Sequence, residues 1–199
     1  YIVLNQILKS TKGYVINMDY KQLGFRCGLE IHQQLHTKYK LFCKCPNKKS
    51  EESPITIKRR LRPVVGEMGT VDTAAAYEYL KNKQFVYKLN SETSCLVEAD
   101  EEPIHNINEE ALEVALQVCL LLKAKIPDEV HIMRKTVIDG SCVSGFQRTA
   151  LVGMDGSLDT SRGKVRITNI SIEEDAAAII DKKENQTTFR LDRLSVPLI

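Results

Sequence analysis

Two stretches of this 199-residue chain combine residue types that hold divalent ions. Around GLEIHQQL, residues 28–35, side chains alternate, with Cys27, Leu29 and Ile31 on one parity and Glu30, His32 and Gln34 on the other. The pattern predicts a half-buried strand over 25–35, and Glu30 and His32 then project to one side, about 7 Å apart at roughly 3.3 Å per residue. A carboxylate and an imidazole so spaced can share one ion, and a polar strand face in solvent carries the same residues. In SIEEDAA, residues 171–177, Glu173, Glu174 and Asp175 close a strand otherwise built from Ile167, Ile170 and Ile172. Like charges there need a cation or solvent, or they open the next helix, where acids are favoured. Glu101 and Glu102 in VEADEEP, residues 97–103, are as well explained by facing water.

Cys43 and Cys45 offer two thiolates, whereas structural zinc takes four ligands and no CxxC follows; a merely buried pair is the alternative. The chain has no Gly-rich phosphate loop, no GxSxG and no HxxxH, so neither a P-loop nor a serine nucleophile is supported. The basic run KRRLRP, residues 58–63, can bind phosphates through counterion release and arginine forks, or form a solvated face. Arg134 and Lys135 in MRKTVIDGS, and Arg148 in GFQRT, can hold anionic substrate groups across a sheet or pair with surface acids.

The elements that must position these groups follow from pattern. Asp72 caps a helix expected near 72–83, and Asn108 caps the clearest helix, to about Lys125. In the second, Glu109, Glu113 and Gln117 make a polar stripe opposite Leu112, Ala115, Leu116, Cys119 and Leu122, so this helix covers a sheet. Glu109 and Glu110 start it and Lys123 and Lys125 finish it, complementing the dipole. Strands are expected at 85–88, 94–98, 130–139, 164–172 and in FRLDRL, with Asp155-Gly156 as a hairpin turn and residues 176–182 helical. Strands joined by hairpins and long loops, with few helices, predict an α+β fold, mainly antiparallel with helices on one side.

Composition sets the frame. Apolar residues make up 43% and charged residues 27%, which excludes collagen-like and disordered chains. No apolar run approaches the roughly 18 residues of a membrane span, so a soluble protein is expected. A net charge of +2 does not announce a nucleic-acid partner. Six cysteines without a secretory signal predict a reducing, cytoplasmic setting. Residues 1–19 read as an N-terminal extension ahead of a domain over 20–199, with Met18 as a candidate start; the extended character at Ile199 reads as a cut from something longer.

Several motifs in this order, GLEIHQQL, LFCKCP, RRLRP, CLVEADEEP, NEEALEVALQV, MRKTVIDGS, SGFQRTALV, EEDAA and FRLDR followed by PLI, are similar to one family. From about Gly24 to Ile199 the chain resembles the N-terminal catalytic part of the GatB/GatE family of glutamyl-tRNA(Gln) amidotransferase subunits, GatE being the archaeal type and GatB the bacterial and organellar one. The resemblance implies an antiparallel catalytic cradle like that of glutamine synthetase and guanido kinases. It implies ATP-dependent phosphorylation, with Mg²⁺, of the γ-carboxylate of glutamate esterified to tRNA(Gln). Ammonia from a separate, asparaginase-like amidase subunit then displaces phosphate to give glutaminyl-tRNA.

Carried over residue by residue, Glu30 and His32 match the first metal-binding strand, and Glu173 and Glu174 the second acidic segment, with Asp175 beside them. Arg134, Lys135 and Arg148 fall in motifs where phosphate or substrate contacts are expected. Glu30, His32, Glu174, Arg148 and Lys135 are the expected catalytic set. Relatives continue past PLI with further acidic residues, an inserted domain and a helical tail that bind tRNA. Some GatB proteins carry a zinc knuckle of CxC and a later CxxC, of which only Cys43 and Cys45 stand here, so zinc is not carried over. The residues alone leave two other readings: an RNA-binding scaffold acting through Lys58 to Arg62, and a carboxylate-amine ligase with a free amino acid substrate.

Overall fold

The computed structural model describes residues 19, 20, 22–66 and 68–199. The expected extension over 1–19 lies, save Asp19, outside them. Contacts divide the chain into two compact units, Tyr1–Ile31 and His32–Ile199. In the first, residues 22–24 form a turn and the rings of Tyr20 and Phe25 meet at 5.7 Å. No strand runs through 25–32 among the described residues, contrary to the alternation there. Strand geometry needs a ladder partner, and pairing begins only at Gln33, which exchanges backbone hydrogen bonds with Ile199 at 2.7 and 2.9 Å.

The second unit is built on two four-stranded sheets. In the first, β3 (Ile132–Thr136), β4 (Phe146–Thr160), β5 (Gly163–Glu174) and β8 (Pro197–Leu198) pair antiparallel in that order, and Gln34 adds an antiparallel bridge to Leu198. In the second, the order is β1 (Ile55–Arg60), β2 (Gln84–Leu89), β7 (Gln186–Arg190) and β6 (Ala178–Lys182), with a parallel pair, β2 and β7, at its centre. The expected α+β class holds, and this parallel pair is the exception to its antiparallel rule.

Helix α1 (Thr73–Leu80) starts at Asp72, whose carboxylate accepts from the Ala75 N–H. Helix α2 (Glu109–Leu121) starts at Asn108 in the same way and opens with Glu109 and Glu110. It buries Ala111, Ala115 and Cys119 against Ala150, Val152, Ile170 and Ile172 of β4 and β5, which forms the larger core. The helix stops short of Lys125. Lys123 takes a left-handed φ of 54°, its N–H bonds Leu120 O at 3.1 Å, and the Ala124 N–H bonds Cys119 O at 2.9 Å. That double closure ends the helix with a lysine where glycine is the usual signal.

Three other expectations are corrected. Asp155-Gly156 is not a turn but lies inside β4, which runs on to Thr160. Glycine is needed there because a Cβ on Gly156 would lie 3.0 Å from Leu122 O, and one on Gly153 would lie 2.7 Å from Cys119 Sγ; α2 approaches the strand over both. Residues 178–182 form the edge strand β6, not a helix, because Ile179 pairs with Phe189 of β7 and tertiary pairing overrides alanine's helix preference. Residues 96–100 form turns, a difference that bears on the second cluster below.

Candidate functional site

Alternation along β5 sends its last two acids to opposite sides of the first sheet. Glu173 faces away from α2. Its Oε2 accepts from Lys135 Nζ of β3 and from Thr149 Oγ1 of β4, both at 3.0 Å, and its Oε1 lies 3.6 Å from His32 Nε2. Register explains the grouping, since Thr149 sits directly opposite Glu173. The Glu173 carboxylate is 7% exposed, while Lys135 and His32 are about half exposed, at 51% and 50%. The result is a sheltered anion flanked by two cationic or basic groups that face solvent. At 3.6 Å, imidazole and Oε1 are too far apart for a hydrogen bond. Two ligands of one octahedral ion at 2.0–2.1 Å stand roughly 3 Å apart or more, so this pair fits a shared divalent cation with most of its shell left to water or substrate.

Glu174 turns inward. Its carboxylate accepts from the Arg148 backbone N–H at 3.0 Å, from Arg148 Nη1 at 3.1 and 3.3 Å, and from Ser195 Oγ at 2.9 Å. Both partners are enclosed, Arg148 at 12% and Glu174 at 2% exposure. Burial pushes the Glu174 carboxyl above its ordinary range, and the Arg148 charge opposes that rise. Arg134 stands directly opposite Arg148, and both guanidinium groups lie over the Phe146 ring, at 5.3 and 5.2 Å. A small cavity lined by Glu98, Asp100, Cys142, Ser144, Arg148 and Glu174 sits beneath, and burial raises the Asp100 carboxyl.

Of the expected site residues, the structure therefore brings His32, Lys135 and Glu173 together on the open face. Glu174 and Arg148 meet each other on the face that α2 covers, and Arg134 borders them. Glu30 belongs to the other unit. Asp175 accepts from Gln34 Nε2 at 2.5 Å and lies 3.7 Å from Arg193. Lys58, Arg59 and Arg60 lie on edge strand β1, where Arg59 pairs with Glu101; Glu102 pairs with His105. Sequence reasoning missed Thr149 and Ser195. Thr149 carries a signal in hindsight, one place beyond Arg148 and so on the opposite face of β4; Ser195 carries none.

A second cluster lies apart from that face. Cys43 and Cys45 share a loop closed by the Lys40 N–H to Cys45 O bond, 3.0 Å, and Cys95 stands just ahead of the turn over 96–100 that carries Glu98. Their ligand atoms, three Sγ and one carboxylate oxygen, all lie within 4.8 Å of one another. Hydrogen bonds from its neighbours, Cys43 first, hold the Cys95 thiol well below the usual thiol range, and the bond with Cys45 pushes Cys43 well above it. Glu98 is further paired with Lys40 at 2.8 Å, both side chains being fully enclosed.

Among the described residues, no helix is long and apolar enough to cross a membrane. Comparison with known proteins gives a consistent picture. The profile of the GatB/GatE catalytic domain matches residues 25–199. The chain is 52% identical over 182 residues to the glutamyl-tRNA(Gln) amidotransferase E subunit of Saccharolobus solfataricus, covering 92% of this chain and 28% of that protein. It is 52% identical over 181 residues to the E subunit of Thermococcus gammatolerans, covering 91% and 29%. The corresponding protein of Methanococcus vannielii is 49% identical over 185 residues, covering 92% and 29%. The chain thus spans less than a third of the length of these relatives.

Proposed function

The chain belongs to the GatB/GatE catalytic domain family, and from that membership we propose that it supplies the kinase and transamidase face of a glutamyl-tRNA(Gln) amidotransferase. The reaction read for it is phosphorylation by ATP of the γ-carboxylate of glutamate carried on tRNA(Gln). Displacement of phosphate by ammonia from a partner amidase follows. One observation supports the placement above the others: Glu173, His32 and Lys135 converge on the sheet face that α2 leaves open.

An anionic carboxylate meeting an anionic triphosphate needs positive charge on both. His32 and Glu173 would hold a Mg²⁺ ion. When bound, the ion supplies Lewis-acid neutralisation of the meeting oxygens. Lys135, tethered through Glu173 Oε2, keeps two further N–H donors for a phosphoryl oxygen. Glu173 Oε2 is committed to Lys135 and Thr149, which leaves Oε1 as the metal-facing oxygen. Glu174 and Arg148, committed to each other, are reassigned from ligand and phosphate contact to positioning: they fix the end of β5 from the opposite face. Arg134 stays a candidate phosphate contact at the sheet edge.

The test uses the full-length protein in its assembled complex. His32→Ala and Glu173→Gln should each abolish ATP-dependent γ-phosphorylation of glutamyl-tRNA(Gln) while leaving tRNA affinity within about twofold, in line with a metal-clamp role. Undiminished phosphorylation in either variant overturns the assignment, and equal turnover with free glutamate would assign the face to a different carboxylate-amine ligase.

A further inference from the structure

We propose that the polar face of the second sheet holds the phosphate backbone of a helical RNA segment through Lys58, Arg60 and Lys88. The inference rests on the reading of the chain as one that acts on an aminoacylated tRNA, and it names a surface that seats that RNA. The surface shares no residue with the Glu173 site.

Register defines the face. Residues directly opposite one another in neighbouring strands point to the same side of a sheet. Lys58 of β1 pairs with Val86 of β2, Thr56 with Lys88, and Arg60 with Gln84. Lys88 pairs in turn with Arg190 of β7, and Val86 with Thr188. One side therefore gathers Lys58, Arg60, Lys88 and Arg190, with threonine and glutamine between them. The other side carries Phe85, Tyr87, Leu89 and Phe189, which form the smaller apolar core, with Ile57 packed against it. Val86 is 6% exposed yet belongs to none of the apolar cores. It is covered by the stems of the long side chains beside it, which lie along the sheet and carry their charged heads to solvent.

Charge selects the partner. Lys58, Arg60 and Lys88 are exposed, and among the described residues none of the three has a carboxylate within ion-pair distance. The acids along this face are already matched: Asp192 meets Arg190 at 2.9 Å, and Asp181, which pairs with Thr188, lies 3.6 Å from Lys183. Arg59 points to the opposite side and pairs with Glu101, so β1 commits a cation to an acid only where it turns from this face. Beyond Lys88 the cationic run stops at Asn90, in an open cleft where Lys48 and Lys49 meet Glu51, Glu52 and Glu92.

Spacing and shape narrow the partner further. Lys58 and Arg60 stand about 7 Å apart at roughly 3.3 Å per residue, and Lys88 lies on the next strand, about 4.8 Å across. No single carboxylate can satisfy three cations so spread, whereas a backbone of repeated phosphates can meet each with a different group. The rings of this sheet face the other way, where Phe85 and Tyr87 lie 6.2 and 5.6 Å from Phe189. Splayed bases therefore find no stacking platform here. The contact is with the backbone of a helical segment, which positions the RNA and carries no sequence information.

The experiment uses the full-length protein in its assembled complex and measures binding of tRNA(Gln), and of an RNA duplex of unrelated sequence, across a range of salt. Each phosphate contact contributes about 0.7–0.9 to the slope of log K against log salt. Lys58→Gln, Arg60→Gln and Lys88→Gln should each weaken binding about five- to eightfold at about 0.1 M salt, and together they should lower the slope by about 2–3. The triple exchange Lys58→Arg/Arg60→Lys/Lys88→Arg should keep the wild-type slope. Lys123→Gln, which removes a charge paired with Asp159, should also leave it unchanged. An undiminished slope in the Gln triple variant overturns the proposal, and a weakened hold on the amidase subunit beside it would assign the face to an acidic protein surface. A loss confined to tRNA(Gln) and absent with the unrelated duplex overturns the backbone contact. Where the triple variant fails to assemble, the single variants decide, each lowering the slope by about 0.7–0.9. Phosphorylation by His32→Ala reads the Glu173 face separately, so failure of this surface and failure of the proposed function are told apart.

Discussion

Glu173 and Glu174, neighbours in the chain, serve opposite faces of the same sheet: one meets the half-exposed Lys135 and the other the enclosed Arg148. The two acids should therefore separate in their effect on stability. Glu174→Gln strips the partner from a buried guanidinium and should cost about 3–5 kcal/mol. Glu173→Gln breaks a pair whose lysine is half exposed and should cost less than about 1 kcal/mol. Urea denaturation of both variants checks this, and similar losses in the two would refute the face assignment.

Asn108 does more than begin a helix. Its Oδ1 accepts the Ala111 N–H, and its Nδ2 reaches Tyr39 O and Lys40 O on the Cys43 loop. Asn108→Asp keeps the acceptor and loses the donors, whereas Asn108→Ala loses both. Removing the cap costs about 1 kcal/mol, so Asn108→Ala should lower the unfolding free energy by at least that much more than Asn108→Asp. Thermal denaturation followed by circular dichroism reads the difference.

Gly153 faces Cys119 Sγ at a distance that no methyl group could share. Gly153→Ala should therefore cost about 1–3 kcal/mol through overpacking. Cys119→Ala removes the obstructing sulfur, so the double variant should lose less than the sum of the singles. A coupling free energy near zero in that cycle would show that α2 has room to move away.

Burial pushes the Cys142 thiol up to about 12 from an ordinary 9.0. In the folded state it keeps its proton where the unfolded chain has lost it. The contribution is fully present below pH 9 and is lost as pH rises toward 12, at about 1.4 kcal/mol per pH unit across that window. Tyr87, raised by burial and bonded to Gly140 O, adds a loss of the same sign. Cys142→Ala should flatten the alkaline decline measured by denaturation between pH 9 and 11, and a decline of unchanged slope would refute the buried thiol's part in it.

The helices and most strands were legible in the sequence because their signals are local. Asp72 and Asn108 mark helix starts through caps that need only three residues of context, and alternation along Lys164–Ile172 reads as strand from one face of burial. Most of what failed depended on distant partners. The 178–182 segment becomes a strand through β7, Asp155-Gly156 is spent on the approach of α2, and the helical reading up to Lys125 missed a left-handed lysine. The candidate site followed the same division. His32, Lys135 and Glu173 could be named from their motifs, but deciding between Glu173 and Glu174 required the identity of the covered face. Cys95 and Glu98 lie some fifty residues from Cys43 and Cys45, and only the fold brings the four together.

The parallel pair at the centre of the second sheet also bears on how the chain emerges from the ribosome. Gln84 must wait for Gln186, about a hundred residues later, and at synthesis rates of about 5–20 residues per second that is an interval of roughly 5–20 s. During it, Phe85, Val86 and Tyr87 have β1 on one side and a bare ladder on the other. A nascent chain held at that stage is a natural client for a chaperone, and slowing translation between residues 90 and 186 should lengthen its dependence on one.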